Sequence, residues 1–288
     1  MTEHRLHTRA ELADLTPPLA AWDEGGAYAR SLHVGDLSWF FRHPDEHLDG
    51  KVHGWWRDGR LVAVAIVEDT VARPRIAPDL LHDRALADEV AEVLEALPCD
   101  EVWSEAVNGS RLRQTLAVRG WEPEPDTWAA LYADSSAGRA TAAAQRASDD
   151  PDVRVAVQRA GFENSTFDRA AWDRMSALPA YDAGLDLVLR DREGNAVAAG
   201  TAWLAGEGVA LVEPFSVHRD HRRRGHGTVL GRALVAACVE RGASGVSVCT
   251  PADNPGAVAT YRAAGFRVVE TLQDLVRPRR SERAQEGP

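Results

Sequence analysis

The sequence has little lysine, little cysteine and no long hydrophobic run. Lys51 is the single lysine among 288 residues while arginine is abundant, a bias that indicates codon usage in a GC-rich genome. The three cysteines, Cys99, Cys238 and Cys249, are an odd number without metal-ligand spacing, so we expect free thiols, a reduced cytoplasmic setting and no metal. No run of about 18 apolar residues is present and no signal peptide is predicted, so we expect no membrane partner.

Positive charge is also in deficit, because the formal net charge is −11 with histidine neutral. Such a surplus of negative charge disfavours a nucleic-acid partner, whose phosphates are bound by lysine and arginine. It suits a small cationic molecule drawn to an acidic cleft, and it equally suits solubility alone, because a charge sum does not say where the charges lie. A homodimer stays open as the oligomeric state.

The same order of elements is predicted twice along the chain. In the C-terminal part we predict strands at 185–189, 196–204, 209–217, 245–250 and 266–269, with a helix after the third strand and another from Asn254-Pro255 to Gly265. In the N-terminal part we predict strands at 52–57, 61–67 and 101–107, a helix over 86–97, and a helix that Asn108 caps and Gly120 ends. Copies about 135–145 residues apart indicate a duplicated domain, since a solenoid repeat is far shorter.

Strands that alternate with helices predict a mixed α/β sheet in each copy. The segment between the copies is rich in alanine, serine and aspartate and has no large apolar residue, which is typical of a linker. We therefore predict a first domain over 1–135, a linker over 136–152, a second domain over 153–278 and a flexible tail over 279–288.

A basic loop with two glycines, Arg222-Arg223-Arg224-Gly225-His226-Gly227, follows the strand at 209–217. A helix is predicted to begin near Gly227-Thr228, and a helix N-terminus presents unpaired N–H groups and partial positive charge. Glycines before it let the backbone curl around an anion, and such a site binds phosphate readily. The loop therefore predicts a phosphate-bearing ligand, the alternative being a solvated basic turn.

Together with residues downstream, the loop resembles the GNAT superfamily of acetyl-CoA-dependent N-acetyltransferases. That family marks the loop with Gln/Arg-x-x-Gly-x-Gly/Ala. The positions that carry the resemblance are Arg222, Gly225 and Gly227, followed by Asn254, Tyr261, Gly265 and Phe266. The resemblance covers 153 to about 276, whereas the first domain shares only the order of elements. It implies two tandem GNAT-like domains, each a mixed, mostly antiparallel sheet flanked by helices.

The resemblance implies acetyl-CoA as co-substrate. Backbone groups of Phe215, Ser216 and Val217 would pair with the pantetheine arm, and Asn254 would contact it, although a helix cap also explains Asn254. The pyrophosphate would lie on the loop and the start of the helix, which comprise Arg222, Arg223, Arg224, Gly225, His226, Gly227 and Thr228. The position of His226 is equally consistent with an exposed loop side chain that contacts no ligand.

Two residues are candidates for the proton transfers of amine acetylation. Tyr261 would protonate the leaving thiolate, because a phenol with a pKa of about 10 is a suitable acid; the alternative is a core tyrosine. Glu213 would accept the amine proton, directly or through water; the alternatives are substrate recognition and an ion pair with an arginine. Pro214 removes a ladder donor beside Glu213, which favours a bulge at this point in the strand.

The first domain lacks what the loop requires. It has no glycine from Arg60 through Asn108, and the corresponding span, Arg73 to Asp79, contains two prolines. Leu116 stands where Tyr261 stands in the second copy, so we expect no CoA binding and no chemistry here. Its many aromatic residues are expected to fill the core. The alternative is that Trp39, Trp55 or Trp56 lines an acceptor pocket between the domains.

The leading functional prediction is an N-acetyltransferase that acts on a primary amine of a small cationic molecule in a ternary complex. Tandem chains of this size resemble some aminoglycoside-modifying enzymes, including kasugamycin acetyltransferases. Protein or peptide N-terminal acetylation and a mycothiol synthase-like activity are alternatives. A non-catalytic CoA-binding sensor is the alternative from another class.

Overall fold

The computed structural model describes residues 1–22, 32–137 and 144–277, and we call 1–137 the first half and 144–277 the second half. The first half contains β1 (Thr2–Leu6), α1 (Leu12–Ala21), α2 (Val34–Phe40), α3 (Asp45–Leu48), β2 (Val52–Arg57), β3 (Arg60–Glu68), β4 (Val71–Ile76), α4 (Arg84–Ala96), β5 (Val102–Ser104), α5 (Arg111–Val118) and β6 (Glu122–Asp134). The second half contains β7 (Gln145–Arg146), α6 (Pro151–Gly161), α7 (Arg169–Ser176), β8 (Asp186–Arg190), β9 (Ala196–Trp203), β10 (Val209–Val217), α8 (His226–Glu240), β11 (Gly245–Pro251), α9 (Pro255–Ala264) and β12 (Arg267–Arg277).

The described strands form one twelve-stranded sheet in the order β1-β2-β3-β4-β5-β12-β6-β11-β10-β9-β8-β7. Neighbours are antiparallel except for the parallel pairs β4–β5 and β10–β11. Strand β6 of the first half lies between β12 and β11, and β12 of the second half lies between β5 and β6. Each half thus gives one strand to the other. The sheet is mixed, mostly antiparallel and flanked by helices, which confirms the predicted fold class.

Two details differ from the local predictions. The segment predicted as a linker, 136–152, includes β7, which pairs with β8, and the start of α6, while 138–143 lie outside the described residues. Asn108 does not cap α5; Ser110 does, and the Asn108 amide donates instead to Glu270 Oε1 at 2.8 Å. The cap prediction was wrong because a long-range contact with β12 competes for the asparagine. The predicted tail, 279–288, lies outside the described residues.

Helix α2 of the first half packs directly on β10 of the second half. His33, its N-cap, donates from Nε2 to the Val209 carbonyl at 3.0 Å, and its Nδ1 accepts from the Gly35 amide. A Cβ on Gly35 would lie 2.7 Å from the side chain of Trp203, so only glycine permits this close approach. The contact fixes Asp36, on the same helix, against the second half.

A buried ion pair fastens α6 to the face of the sheet opposite α8. The Asp186 carboxylate accepts from Arg154 Nε at 2.7 Å, from Thr201 Oγ1 at 2.8 Å and from Trp172 Nε1 at 3.0 Å. Neither side chain of the ion pair is exposed. Because removing one partner would leave an uncompensated buried charge, the pair is expected to hold α6 and α7 rigidly under β9. Among the described residues, no helix is both long and apolar enough to cross a lipid bilayer.

Candidate active site

Strands β10 and β11 separate part-way along their length. Within the described residues their pairing covers Val209–Leu211 and Gly245–Ser247, and the register between β10 and β9 shifts between Val212 and Phe215. The shift is the bulge that Pro214 predicts. Beyond it, Phe215, Ser216 and Val217 pair with β9, so alternate backbone groups face the gap beside β11. We call this gap the opening.

The glycine loop forms a cradle at one end of the opening. Gly225 is the N-cap of α8 with φ 83°, and Arg223 also has a positive φ of 61°. Helix α8 begins at His226, so the N–H groups of its first turn, including those of Gly227 and Thr228, have no acceptor within the helix. Backbone donors and a helix dipole that point to one place form a phosphate site.

Packing explains the second glycine of the loop. A Cβ on Gly227 would lie 2.7 Å from Thr260 Cγ2 and 3.2 Å from Val217 Cγ2, so a side chain here would push α8 away from α9 and β10. Arg222 holds the loop from the other side, because its Nη2 donates to the Gly161 carbonyl at 2.6 Å. Arg223 and Arg224 are exposed beside the cradle, and the ring of His226 lies 6.3 Å from that of His221.

Tyr261 of α9 lies buried beside the opening. Its ring centroid is 5.3 Å from that of Phe215 and 5.7 Å from that of Phe266. Burial raises the pKa of Tyr261, and the nearby carboxylate of Glu213 raises it further, so the hydroxyl keeps its proton at neutral pH. Asn254 caps α9 by accepting from the Ala257 amide at 3.1 Å, as its sequence position predicts.

Glu213 lies at the point where β10 leaves β11. Its carbonyl accepts from Trp203 Nε1 at 2.6 Å, which fixes the backbone of the bulge. Burial raises the pKa of the Glu213 carboxyl, whereas the guanidinium groups of Arg73 and Arg42 lower it. Val212 packs in the core under α8, while Leu211 and Glu213 face the other side of the sheet.

A pocket of about 180 Å³ lies on that other side, and we call it the acidic pocket. Both halves line it. Its lining residues are Asp36, Arg73, Glu105, Ala106, Val107, Asn108 and Trp128 of the first half, with Leu211, Glu213, Cys249, Glu270, Leu272, Gln273 and Asp274 of the second. Five carboxyl groups therefore face one guanidinium. The pocket lies on the face of the sheet opposite α8, and Glu213, at the point where β10 leaves β11, is one of its lining residues.

Arg73 organises the charges of the acidic pocket. Its Nε donates to Glu105 Oε1 at 2.8 Å, and its Nη1 is 3.8 Å from Asp36 Oδ1. Burial raises the pKa of Asp36 well above its ordinary value, although Arg73 opposes this shift. Burial likewise raises the pKa of Asp274 to about 6, and the Glu105 carboxylate adds to the effect. The pocket has more carboxyl groups than positively charged side chains of the protein. A cationic ligand would neutralise the remaining carboxylates, so the pocket favours such a ligand.

The tryptophans predicted to wall an acceptor pocket do not line this one. Trp55 is buried in the core of the first half, Trp56 donates to His7, and Trp39 packs on Phe167. Trp55 and Trp56 complete the packing of the first half, whereas Trp39 lies between the two halves because Phe167 belongs to the second half. Trp128 of β6 lines the pocket instead.

Four acidic-pocket residues that sequence reasoning missed are Asp36, Arg73, Glu105 and Cys249. The first three lie in the half without a glycine loop, and only the docking of α2 on β10 brings Asp36 to Glu213. No local motif marks them. A scan for charged residues at strand ends would have found Glu105, which follows β5, but not Arg73, which lies inside β4.

In the described residues of the first half, the helix that corresponds to α8 begins differently. Asp83 occupies the N-cap of α4, and its carboxylate accepts from the Leu86 amide at 2.8 Å. A carboxylate at that end satisfies a donor and adds negative charge, so it disfavours a bound phosphate. Leu116, which takes the place of Tyr261, is buried in the core of the first half. That the first half binds no CoA stays a prediction.

Comparisons with known proteins agree with this geometry. A family model described as the acetyltransferase (GNAT) family matches residues 152–266. A mycothiol acetyltransferase of Clavibacter michiganensis is 30% identical over 220 residues, which are 73% of this chain and 70% of that protein. A GNAT-family acetyltransferase from Colwellia psychrerythraea has the same fold, with a TM-score of 0.59 and 14% identity over 96% of this chain and 98% of that one. A tandem GNAT protein from the clavulanic acid biosynthesis pathway has a TM-score of 0.56 and 15% identity over the same shares. The chain therefore belongs to the GNAT family of acetyltransferases and is an acyltransferase.

Proposed function

We propose that this enzyme transfers the acetyl group of acetyl-CoA directly to a primary amine of a small cationic molecule, with both substrates bound together. Acetyl-CoA is the co-substrate of the GNAT family. The observation that carries the proposal is the opening between β10 and β11, which has a cradle suited to phosphate at one end and Glu213, a lining residue of the acidic pocket, beside it. Two reactants that enter from opposite faces would meet at Glu213, and such positioning accounts for much of the rate of group transfer.

The cradle would hold the pyrophosphate of acetyl-CoA, and the free edge of Phe215, Ser216 and Val217 would pair with the pantetheine arm. When bound, the thioester supplies an activated acetyl group. The first-turn N–H groups of α8 and the exposed Arg223 and Arg224 provide the complementary charge. Arg222 keeps the loop in place through its bond to α6.

Glu213 would serve as the base. A primary amine must lose a proton before it can attack, and an efficient base has a pKa close to the working pH. Burial raises the pKa of Glu213, which makes its carboxylate a stronger base, and the guanidinium groups of Arg73 and Arg42 oppose that shift. Tyr261, which keeps its proton, would supply the acid for the departing thiolate.

The acidic pocket indicates the class of acceptor. Its five carboxyl groups favour a molecule with several positive charges, such as a polyamine or an aminoglycoside, kasugamycin among them. Trp128, Leu211 and Leu272 add apolar contact for a carbon skeleton. A pocket between the two halves suits a small molecule better than an extended peptide, which would need a groove.

A mycothiol synthase-like activity is the second candidate. It is supported by the mycothiol acetyltransferase relative, whose similarity extends well beyond the region matched by the family model. That acceptor would also present an amine to Glu213, so the catalytic assignments stay the same. The two candidates differ in the groups that must contact Glu270 and Asp274 at the other end of the pocket.

The release of free CoA with a panel of amines tests the proposal. We expect turnover with polycationic amines or with the amine precursor of mycothiol, and a loss of roughly 10²-fold or more in kcat for Glu213→Gln. Glu207→Gln is the matched control, because Glu207 lies in the exposed turn before β10. If no amine in the panel is acetylated, the proposed acceptor class is wrong. If Glu213→Gln and Glu207→Gln are equally active, the assigned base is wrong.

A further inference from the structure

A separate group of metal-ligating side chains lies in the first half, outside the acidic pocket. We call His43, His47 and Glu68 the His–His–Glu cluster. One potential ligand atom from each lies within 4.8 Å of the others. His43 Nε2 is 3.2 Å from Glu68 Oε1, and the two imidazole rings are stacked with their centroids 4.1 Å apart. All three residues are half-buried, so a small ion can reach them from solvent.

The turn that carries both histidines is held in place by the rest of the fold. Arg9 donates to the carbonyls of Phe41 and His43, and its Nε is 2.6 Å from Asp45 Oδ1. The ring of Phe40 packs against both imidazoles, at 5.8 and 6.0 Å between centroids. The backbone of the cluster is therefore ordered without an ion, which reduces the entropic cost of binding one.

We propose that the His–His–Glu cluster binds one divalent transition-metal ion, with two imidazole nitrogens and one carboxylate oxygen as ligands. This donor set suits Zn²⁺, Ni²⁺ and Co²⁺, and it leaves coordination positions open to water. Bonds of about 2.1 Å place tetrahedral ligand atoms roughly 3.4 Å apart, so small side-chain rotations bring the three atoms to the required separation.

Two positively charged side chains near the cluster disfavour the binding of a metal ion, and replacing one of them tests the proposal. Lys51 Nζ is 3.4 Å from His47 Nε2, and Arg42 Nη2 is 3.8 Å from Glu68 Oε1. Lys51, on a flexible stem, must swing away when a metal binds. Replacing it with a neutral residue removes a repulsive charge, so Lys51→Gln should bind metal more tightly than the wild type.

Calorimetric titration of the full-length chain with Zn²⁺ tests the proposal. The chain has ten histidines, so the comparison of variants identifies the site. We expect at least about tenfold weaker binding at one site in His47→Gln and in Glu68→Gln, and severalfold tighter binding in Lys51→Gln. His82→Gln is the matched control, because His82 is exposed and lies outside the cluster.

Titration with Co²⁺, followed by its visible absorption, gives a second readout that depends on the ligands and not on enzyme activity. The wild type and Lys51→Gln should show an absorption band that His47→Gln lacks, while circular dichroism without metal is the same for all variants. Equal Zn²⁺ affinity in the wild type, His47→Gln and Glu68→Gln overturns the proposal. Weaker binding in Lys51→Gln also contradicts it.

Discussion

Individual side chains at the opening set the proton chemistry. Burial raises the pKa of Glu213, the guanidinium groups of Arg73 and Arg42 lower it, and the carboxylates of Glu105 and Glu68 raise it further. The base of one half therefore depends on charges of the other half. This dependence can be measured, because a base must be ionised to act.

The first residue-scale prediction concerns Tyr261. Tyr261→Phe keeps the ring that packs on Phe215 and Phe266 but removes the acidic proton, so kcat should fall roughly 10²–10⁴-fold while the affinity for CoA changes little. Steady-state kinetics with a productive amine measure both quantities. Tyr132→Phe is the control, because the hydroxyl of Tyr132, on β6, donates to the carbonyl of Ser244, just before β11. Wild-type kcat in Tyr261→Phe would remove Tyr261 from the mechanism.

The second residue-scale prediction concerns Arg73. Because its guanidinium lowers the pKa of Glu213, Arg73→Met should raise that pKa and move the acidic limb of the kcat/KM profile to higher pH. Arg73→Lys keeps the charge and should leave the limb near its wild-type position. The pH dependence of kcat/KM from pH 5 to 9, sampled about every half unit of pH, checks this prediction. Thermal unfolding of each variant tests whether it is folded. An acidic limb that does not move in Arg73→Met contradicts the assigned charge coupling.

At the scale of elements, two helix starts decide which half has a cradle. Helix α8 begins after a left-handed glycine, and α4 begins after an aspartate that uses its carboxylate as a cap. The two helices occupy equivalent places in the duplicated order of elements. The N-terminus of α8 therefore favours a bound anion, whereas the carboxylate at the N-terminus of α4 repels one.

The element-scale prediction concerns the packing of α8 on α9. Gly227→Ala places a Cβ 2.7 Å from Thr260 Cγ2 and should lower the free energy of unfolding by about 1–3 kcal/mol. Thr260→Ala removes that methyl group, so the double variant should recover much of the loss. Urea denaturation of the three variants checks the prediction. Additive effects in the double variant would mean that Gly227 is required for another reason.

Most helices and strands were predictable from local pattern. The strand at 209–217, the helix capped by Asn254 and the left-handed Gly265 occur as predicted, because apolar periodicity and cap residues act over a few positions. Asn108 was predicted wrongly for the opposite reason, since β12, far along the chain, provides its partner. The loop from Arg222 to Gly227 could be found because its arginines and glycines are adjacent in the sequence.

At the scale of the whole molecule, the two halves are interlocked by the exchange of β6 and β12. Strand β11 would lose a neighbour without β6, and β5 would lose one without β12. The acidic pocket also needs both halves, which is why its composition could not be predicted from the sequence. Asp36 and Glu213 are remote in sequence and meet only when α2 docks on β10.

The whole-molecule prediction concerns separated fragments. Residues 1–143 and 144–288 expressed alone should each lack a cooperative thermal transition, because each loses the strand that the other supplies. Co-expressed fragments should assemble and regain acetyltransferase activity. Circular dichroism and free-CoA release measure the two outcomes. A second-half fragment that folds and turns over alone would show that the exchange is dispensable.

The central claim is that one cofactor site per chain, at the opening between β10 and β11, faces the acidic pocket. A crystal structure with CoA tests this claim most directly. We predict one CoA per chain, with its pyrophosphate at the start of α8, its pantetheine beside Phe215 and Val217, and its thiol near Glu213 and Tyr261. CoA bound to the first half, or a thiol that points away from the acidic pocket, would contradict the claim.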